Sequence, residues 1–181
     1  MTHDSFLLHP AQLLDEDRLL VFHADGIVCR DQQYLWHRSE VAQLLDCDAA
    51  LLDISVVHSD SRRHVLVHLS DQVDLLQSFE TRSLRSVIFS ENDADIALLG
   101  RANQLLEWYR SHHFCGRCGA RTSIKGRQYS LHCRSCEQDY FPRINPCSIM
   151  LVVDGERILL ARNARYRAGY YSCLAGFIEV G

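Results

Sequence analysis

The sequence predicts a multi-domain α+β protein, and three observations carry the prediction. Apolar runs rich in β-branched residues flank short polar turns before residue 92 and again after Cys147. One long helical pattern separates these regions. Between that helix and Cys147, two C-x-x-C pairs fall within 22 consecutive residues. The expected order is a mixed α/β domain over residues 1–92, a connecting helix over 93–113, a four-cysteine ribbon over 114–141, and the opening strands of a further domain over 142–181.

Within the first domain, LLVFHADGIVCR is an apolar stretch interrupted by Asp25-Gly26, a dipeptide favoured in type I′ hairpin turns. LLDISVVHSDSRRHVLVHLS repeats that arrangement, with two apolar runs around a polar turn. EVAQLLD and DQVDLLQSF carry short helical patterns beside these strands. Asn92 or Asp93 is placed to cap the long helix, which runs to about His112 with Ile96, Leu99, Leu106 and Tyr109 on one face. Arg101 and Arg110 fall toward its later turns, where cations complement the helix dipole. SIMLVVDGERILLARN is a second hairpin pattern, around Asp154-Gly155, and YYSCLAGFIEVG follows a short loop.

The 181 residues are 47% hydrophobic and 23% charged, the balance of an ordinary globular protein. No apolar run reaches the ~20 residues that span a bilayer. MTHDSFLLHP lacks the basic and apolar regions of a secretory leader, so a cytoplasmic location is expected. The net charge of −4 conceals an asymmetry: residues 1–99 carry −10 and residues 100–181 carry +6. A basic second half suits an anionic ligand such as a phosphate ester or nucleic acid; docking of two oppositely charged domains would account for it equally well.

Cys115, Cys118, Cys133 and Cys136 form two C-x-x-C pairs separated by 14 residues. Two residues between thiolates make a tight knuckle with both sulfurs facing one cation, and Gly116 and Gly119 supply backbone freedom for the first. Two knuckles, each at the tip of a short hairpin, build the tetrahedral sulfur site that suits zinc. Paired disulfides, a redox couple and an iron–sulfur centre are the alternatives; reducing surroundings and the duplicated pair weigh against the first two. A closed four-sulfur site has no open coordination position, so the zinc would be structural. Arg117, Arg121, Lys125, Arg127 and Arg134 surround it as a solvated basic face or a nucleic-acid contact. His112, His113 and His132 read as surface residues, since four cysteines already complete a shell.

WYRSHHFCGRCG, CRSC, YFPRINPCSIMLV and LAGFIEVG, in that order, resemble the bacterial NADH pyrophosphatases, zinc-ribbon Nudix hydrolases that also remove NAD caps from RNA. The resemblance covers residues 80–181 well, and it makes residues 142–181 the first strands of a Nudix α/β/α sandwich. It implies hydrolysis of the NAD(H) diphosphate to nicotinamide mononucleotide and AMP, with structural zinc, catalytic Mg²⁺ or Mn²⁺, and a homodimer as the active form. It also implies substrate contacts at Arg85, Gln128 and Phe141, and a catalytic-metal contact from the Ala175 backbone carbonyl. Phe141 stands where the family commonly has tyrosine, which leaves ring stacking but removes a hydroxyl donor; Gln128 stands where glutamate can occur.

The Nudix motif is G-x5-E-x7-R-E-U-x-E-E-x-G-U, where U is apolar. Gly176 matches its first glycine and Phe177 to Gly181 its five spacer residues, so the first glutamate would come directly after Gly181. The carboxylates that hold divalent ions are therefore not among these 181 residues, and the chain by itself is expected to be inactive. Glu179 lies in the spacer and receives no catalytic role. The S-Q-P-W-P-F-P-x-S segment that marks the NADH subgroup would lie further on. A zinc-ribbon nucleic-acid-binding or adapter protein is the alternative function, and an inactive truncated paralogue is a third.

Overall fold

In the computed structural model, residues 5–24, 26–54, 62–75, 77–90, 95–126, 128–165 and 167–180 are described. They form an α+β protein with two compact units, residues 1–142 and 143–181.

The first unit is built on a seven-stranded sheet. Its strands are β1 (Leu7–Leu8), β2 (Arg18–His23), β3 (Gly26–Cys29), β4 (Leu35–Trp36), β5 (Ala49–Asp53), β6 (His64–Leu69) and β7 (Glu80–Arg82). The order across the sheet is β1-β5-β6-β2-β3-β7, with β4 also paired to β2. All the pairings are antiparallel except β2 with β6, which run parallel with Arg18 opposite His64.

Side chains alternate between faces of a strand, and the core records this as two layers. Leu20, Phe22, Leu52 and Leu66 pack on one face with Leu98, Leu99, Ala102, Leu105 and Leu106 of α3 (Ile96–Ser111). Leu19, Val21, Leu51, Val65 and Val67 pack on the other with Val41, Leu44 and Leu45 around α1 (Ala42–Leu45). Both faces are thus covered, each buried aliphatic side chain contributing roughly 1.5–3 kcal/mol. A short α2 (Leu84–Ser90) places Val87 in the first layer. Phe6, at the start of the described chain, packs its ring 5.7 Å from that of Trp108 near the end of α3. At the sheet's end, buried Asp17 accepts two hydrogen bonds from the Arg63 guanidinium and one from the Leu14 amide.

Several expectations shift. The described residues of DQVDLLQSF are not helical; Val73, Leu75 and Phe79 pack as irregular chain against the second layer, and that packing overrides the local pattern. The α3 cap is Asp95, whose carboxylate accepts from the Leu98 amide, while Asn92 and Asp93 lie outside the described residues. Leu99 and Leu106 face the sheet as expected, but Ile96 is 61% exposed because the buried stripe is set by Leu98, Ala102 and Leu105. Gly26 pairs with His23 as the first residue of β3 and so is not a turn residue, while Asp25 lies outside the described residues. Gly26 serves another purpose: a Cβ there would lie 3.0 Å from Thr81 Cβ, inside the β3–β7 contact.

The second unit holds β11 (Cys147–Met150), β12 (Val152–Asp154), β13 (Arg157–Leu159) and β14 (Leu174–Phe177), numbered after the three ribbon strands described below. Gly155, at φ +58°, turns β12 into β13. The apolar run after Pro146 divides, however, because β11 pairs with β14 and only β12 joins the hairpin. Ile149, Val153 and Phe177 are 58–75% exposed, so this unit leaves apolar faces and strand edges uncovered. No helix among the described residues is long and apolar enough to cross a membrane.

Candidate metal centre

The ribbon grows directly from the end of α3. Its first knuckle is closed by a bridge between Phe114 and Arg121, with the Cys115 amide donating to the Ala120 carbonyl and the Gly119 amide to the Cys115 carbonyl. A three-stranded sheet follows: β8 (Ser123–Ile124), β9 (Leu131–Cys133) and β10 (Gln138–Tyr140), in the order β10-β9-β8. The second knuckle is the turn between β9 and β10. Leu131 and Tyr129 anchor the ribbon in the layer beneath α3, where the Tyr129 hydroxyl donates to the Asp53 carbonyl at 2.5 Å.

The two hairpins bring Cys115, Cys118, Cys133 and Cys136 together, with all four sulfurs within 4.8 Å of one another. Backbone amides surround them: the Arg117 amide donates to Cys115 Sγ at 3.4 Å, and the amides of Ala120 and Ser135 point at Cys118 and Cys133. The Tyr140 hydroxyl accepts from the Gly116 amide at 3.1 Å and donates to Cys115 Sγ at 3.0 Å. That donor is the main reason the Cys115 thiol is held down to about 5. Cys136 is pushed up to about 12, chiefly by Cys115 beside it. Four adjacent sulfurs cannot all ionise against one another, and a dication removes the conflict. The donors fit zinc: four soft sulfurs, a compact cluster and amides aimed at thiolate charge.

The knuckles need a left-handed residue after their second cysteine. Gly119 supplies it in the first at φ +73°; Gly116 is not left-handed and needs no such freedom. In the second knuckle Glu137 takes that place at φ +53°, a conformation costly for a side chain. Sequence reading missed Glu137, although its position after Cys136 matches that of Gly119 after Cys118. It also passed over Tyr140, whose role depends on β10 folding back toward the first knuckle.

The three histidines are half-buried, because each packs against a neighbour. His112 lies against the Tyr140 ring, His113 against the Tyr109 ring, and His132 Nδ1 bonds Asp139 at 2.6 Å. Arg117, Arg121, Lys125 and Arg134 are exposed, while Arg127 is outside the described residues.

The remaining site residues lie on separate elements. Arg85 is exposed on α2 with its guanidinium 5.3 Å from the Phe89 ring centre. Gln128 is exposed in the β8–β9 turn, and Phe141, 51% exposed, follows β10. Ala175 lies in the second unit, opposite Ile149 in the β11–β14 pair. Of the stretch LAGFIEVG, Gly176 and Phe177 end β14, paired with Ser148 and Cys147. Glu179 is exposed beyond that strand, and Gly181 lies outside the described residues.

Four sulfurs on two knuckles, closed by three short strands, define this part of the chain as a zinc-binding ribbon. Residues 110–141 match the family described as the NADH pyrophosphatase zinc ribbon domain, so the chain carries that type of ribbon. The chain is also similar to proteins named NAD-capped RNA hydrolase NudC. It is 40% identical over 105 residues to that of Chromobacterium violaceum, covering 58% of this chain and 40% of the relative. To that of Erwinia tasmaniensis it is 42% identical over 99 residues, 55% of this chain and 38% of the relative. To that of Pectobacterium carotovorum it is 45% identical over 92 residues, 49% and 35% respectively. The chain therefore spans about two fifths of the length of these relatives.

Proposed function

We propose that this protein is a Nudix hydrolase of the NADH pyrophosphatase type, acting on the diphosphate of NAD(H) to give nicotinamide mononucleotide and AMP, and on NAD-capped RNA. The observation that carries the reading is the four-sulfur ribbon over residues 110–141, of the kind found in NADH pyrophosphatases. On this reading residues 1–92 are an N-terminal domain, 93–113 a connecting helix, 114–141 the ribbon and 142–181 the start of the Nudix domain. Arg85, Gln128 and Phe141 are substrate contacts: the guanidinium pairs with phosphate, the ring stacks on a base, and the amide donates a hydrogen bond. The working form is a cytoplasmic homodimer.

Catalysis in this class needs Mg²⁺ or Mn²⁺, which neutralise diphosphate oxygens and activate water. The residues in hand do not fit such an ion: Ala175 offers one carbonyl, where a hard cation takes six or more oxygens. On this reading the motif's carboxylates would follow Gly181, and the 181 residues by themselves are expected to bind the substrate without hydrolysing it. The test incubates it with NADH and Mn²⁺, separates products by chromatography, and compares its binding of NAD-capped RNA and triphosphate-ended RNA. We expect no turnover and a preference for the cap that falls in Phe141→Ala and Arg85→Ala. Release of AMP would overturn the inactivity, and equal affinity for both RNAs would overturn the substrate assignment.

A second reading, a nucleic-acid-binding or adapter ribbon, draws on the exposed Arg117, Arg121, Lys125 and Arg134. Cap-independent RNA binding that weakens steeply with salt would favour it.

A further inference from the structure

From Trp108 to Cys136 the chain has no carboxylate side chain, and it carries six cations: Arg110, Arg117, Arg121, Lys125, Arg127 and Arg134. Two of them are engaged, since Arg110 donates to the Ala24 carbonyl and Lys125 pairs with Asp139 further on. Arg127 lies outside the described residues. The guanidiniums of Arg117, Arg121 and Arg134 are exposed and make no hydrogen bond or ion pair among the described residues. Glu137, exposed at the second knuckle, pairs with none of the three. The sulfurs do not draw on them either, because backbone amides and the Tyr140 hydroxyl meet the thiolate charge. A zinc held by four thiolates is anionic by about two charges, which the six cations exceed.

The fold gathers these three guanidiniums. Arg117 and Arg134 each stand between the two cysteines of a knuckle, and the four sulfurs, within 4.8 Å of one another, bring the two knuckles together. Arg121 closes the base of the first knuckle opposite Phe114. Phe114 is 61% exposed, and the Arg121 guanidinium lies 6.0 Å from its ring centre. An aromatic ring left in water beside unpaired guanidiniums suits a single-stranded nucleic acid: phosphates pair with the cations, and a base stacks on the ring. A duplex keeps its bases stacked inside and offers the ring none.

We propose that the face made by Phe114, Arg117 and Arg121, with Arg134 beside it, binds the single-stranded RNA that follows the cap, an unpaired base stacking on Phe114. This contact rests on the reading of NAD-capped RNA as substrate, and it stands apart from the cap contacts at Arg85, Gln128 and Phe141.

The test follows, by fluorescence anisotropy across a salt series, the zinc-loaded 181-residue chain binding a single-stranded RNA of about ten nucleotides, within the span of single-strand sites. The RNA carries an NAD cap or a 5′-triphosphate, and a duplex RNA and a single-stranded DNA of the same sequence serve as competitors. Phe114→Ala is expected to weaken both RNAs about tenfold, the loss of one stacked base, with zinc content unchanged, and Phe114→Trp to keep full affinity. Arg117→Gln and Arg121→Gln are each expected to flatten the slope of log affinity against log salt by about 0.7, the loss of one phosphate contact. The ratio of capped to triphosphate affinity is expected to stay as in the parent chain in all four variants. No binding of either RNA, full affinity in Phe114→Ala, an unaltered salt slope in both arginine variants, or tighter binding of the duplex or the DNA than of the RNA would each overturn the assignment. Equal affinity for the two RNAs, with the Phe114 dependence intact, would overturn the cap reading and support this contact.

Discussion

In the sheet, Leu20, Leu66 and Leu99 are at most 1% exposed and sit among two continuous apolar layers. In the ribbon, among the described residues from Phe114 to Phe141, only Cys115, Ser130, Leu131 and Cys133 are buried, and two of these are sulfur ligands. A chain of some thirty residues cannot enclose enough apolar surface to order itself, and disulfides or a metal usually make up the difference. The two regions therefore solve one problem by different means: area removed from water in the sheet, and metal–sulfur bonds in the ribbon.

The largest expected effect separates them directly. Stripping the metal with a chelator, or replacing Cys133 with serine, should unfold the ribbon, since structural zinc supplies on the order of 10–16 kcal/mol of folding free energy in small zinc domains. Residue-resolved hydrogen exchange should show amides of residues 114–141 losing protection while β2 and β6 keep theirs. Equal loss in β2 and β6 would break the comparison by showing one cooperative unit.

The converse cut falls on the sheet. Asp17→Asn leaves the Arg63 guanidinium without its carboxylate partner and should cost about 3 kcal/mol in urea unfolding, with zinc affinity unchanged. Two smaller changes sharpen the ribbon side. Tyr140→Phe removes the hydroxyl that supports Cys115 and should weaken zinc about tenfold in competition with a chromophoric chelator. Glu137→Gly relieves the left-handed strain of the second knuckle and should raise thermal stability by up to ~1 kcal/mol. A loss of stability there would mean that the Glu137 side chain does more than occupy its place.

The same contrast explains what could be read from the sequence. The ribbon's ligands were legible because metal geometry acts over four consecutive residues at a time: C-x-x-C fixes a knuckle wherever it stands. The strands VLVHL and RLLVF were likewise legible, because a short apolar run beside a turn signal is a local pattern. The parallel pairing of Arg18 with His64 was not, since nothing in either run encodes which distant strand it will meet. DQVDLLQSF misled for a related reason: Val73, Leu75 and Phe79 can cover a sheet as irregular chain, and nothing local tells this from a short helix. Arg85, Gln128, Phe141 and Ala175 came from resemblance alone, and no local rule would have singled them out.

The contact between Phe6 and Trp108 bears on how the molecule is made. A nascent chain cannot complete the layer around Phe6 until about 100 further residues have left the ribosome, which at 5–20 residues per second takes roughly 5–20 s. Throughout that interval the β1 edge and its apolar neighbours wait for a helix not yet synthesised. Birth of this fold thus has a built-in delay, and a cell that slowed translation between β6 and α3 would lengthen the period in which a chaperone must stand in for α3.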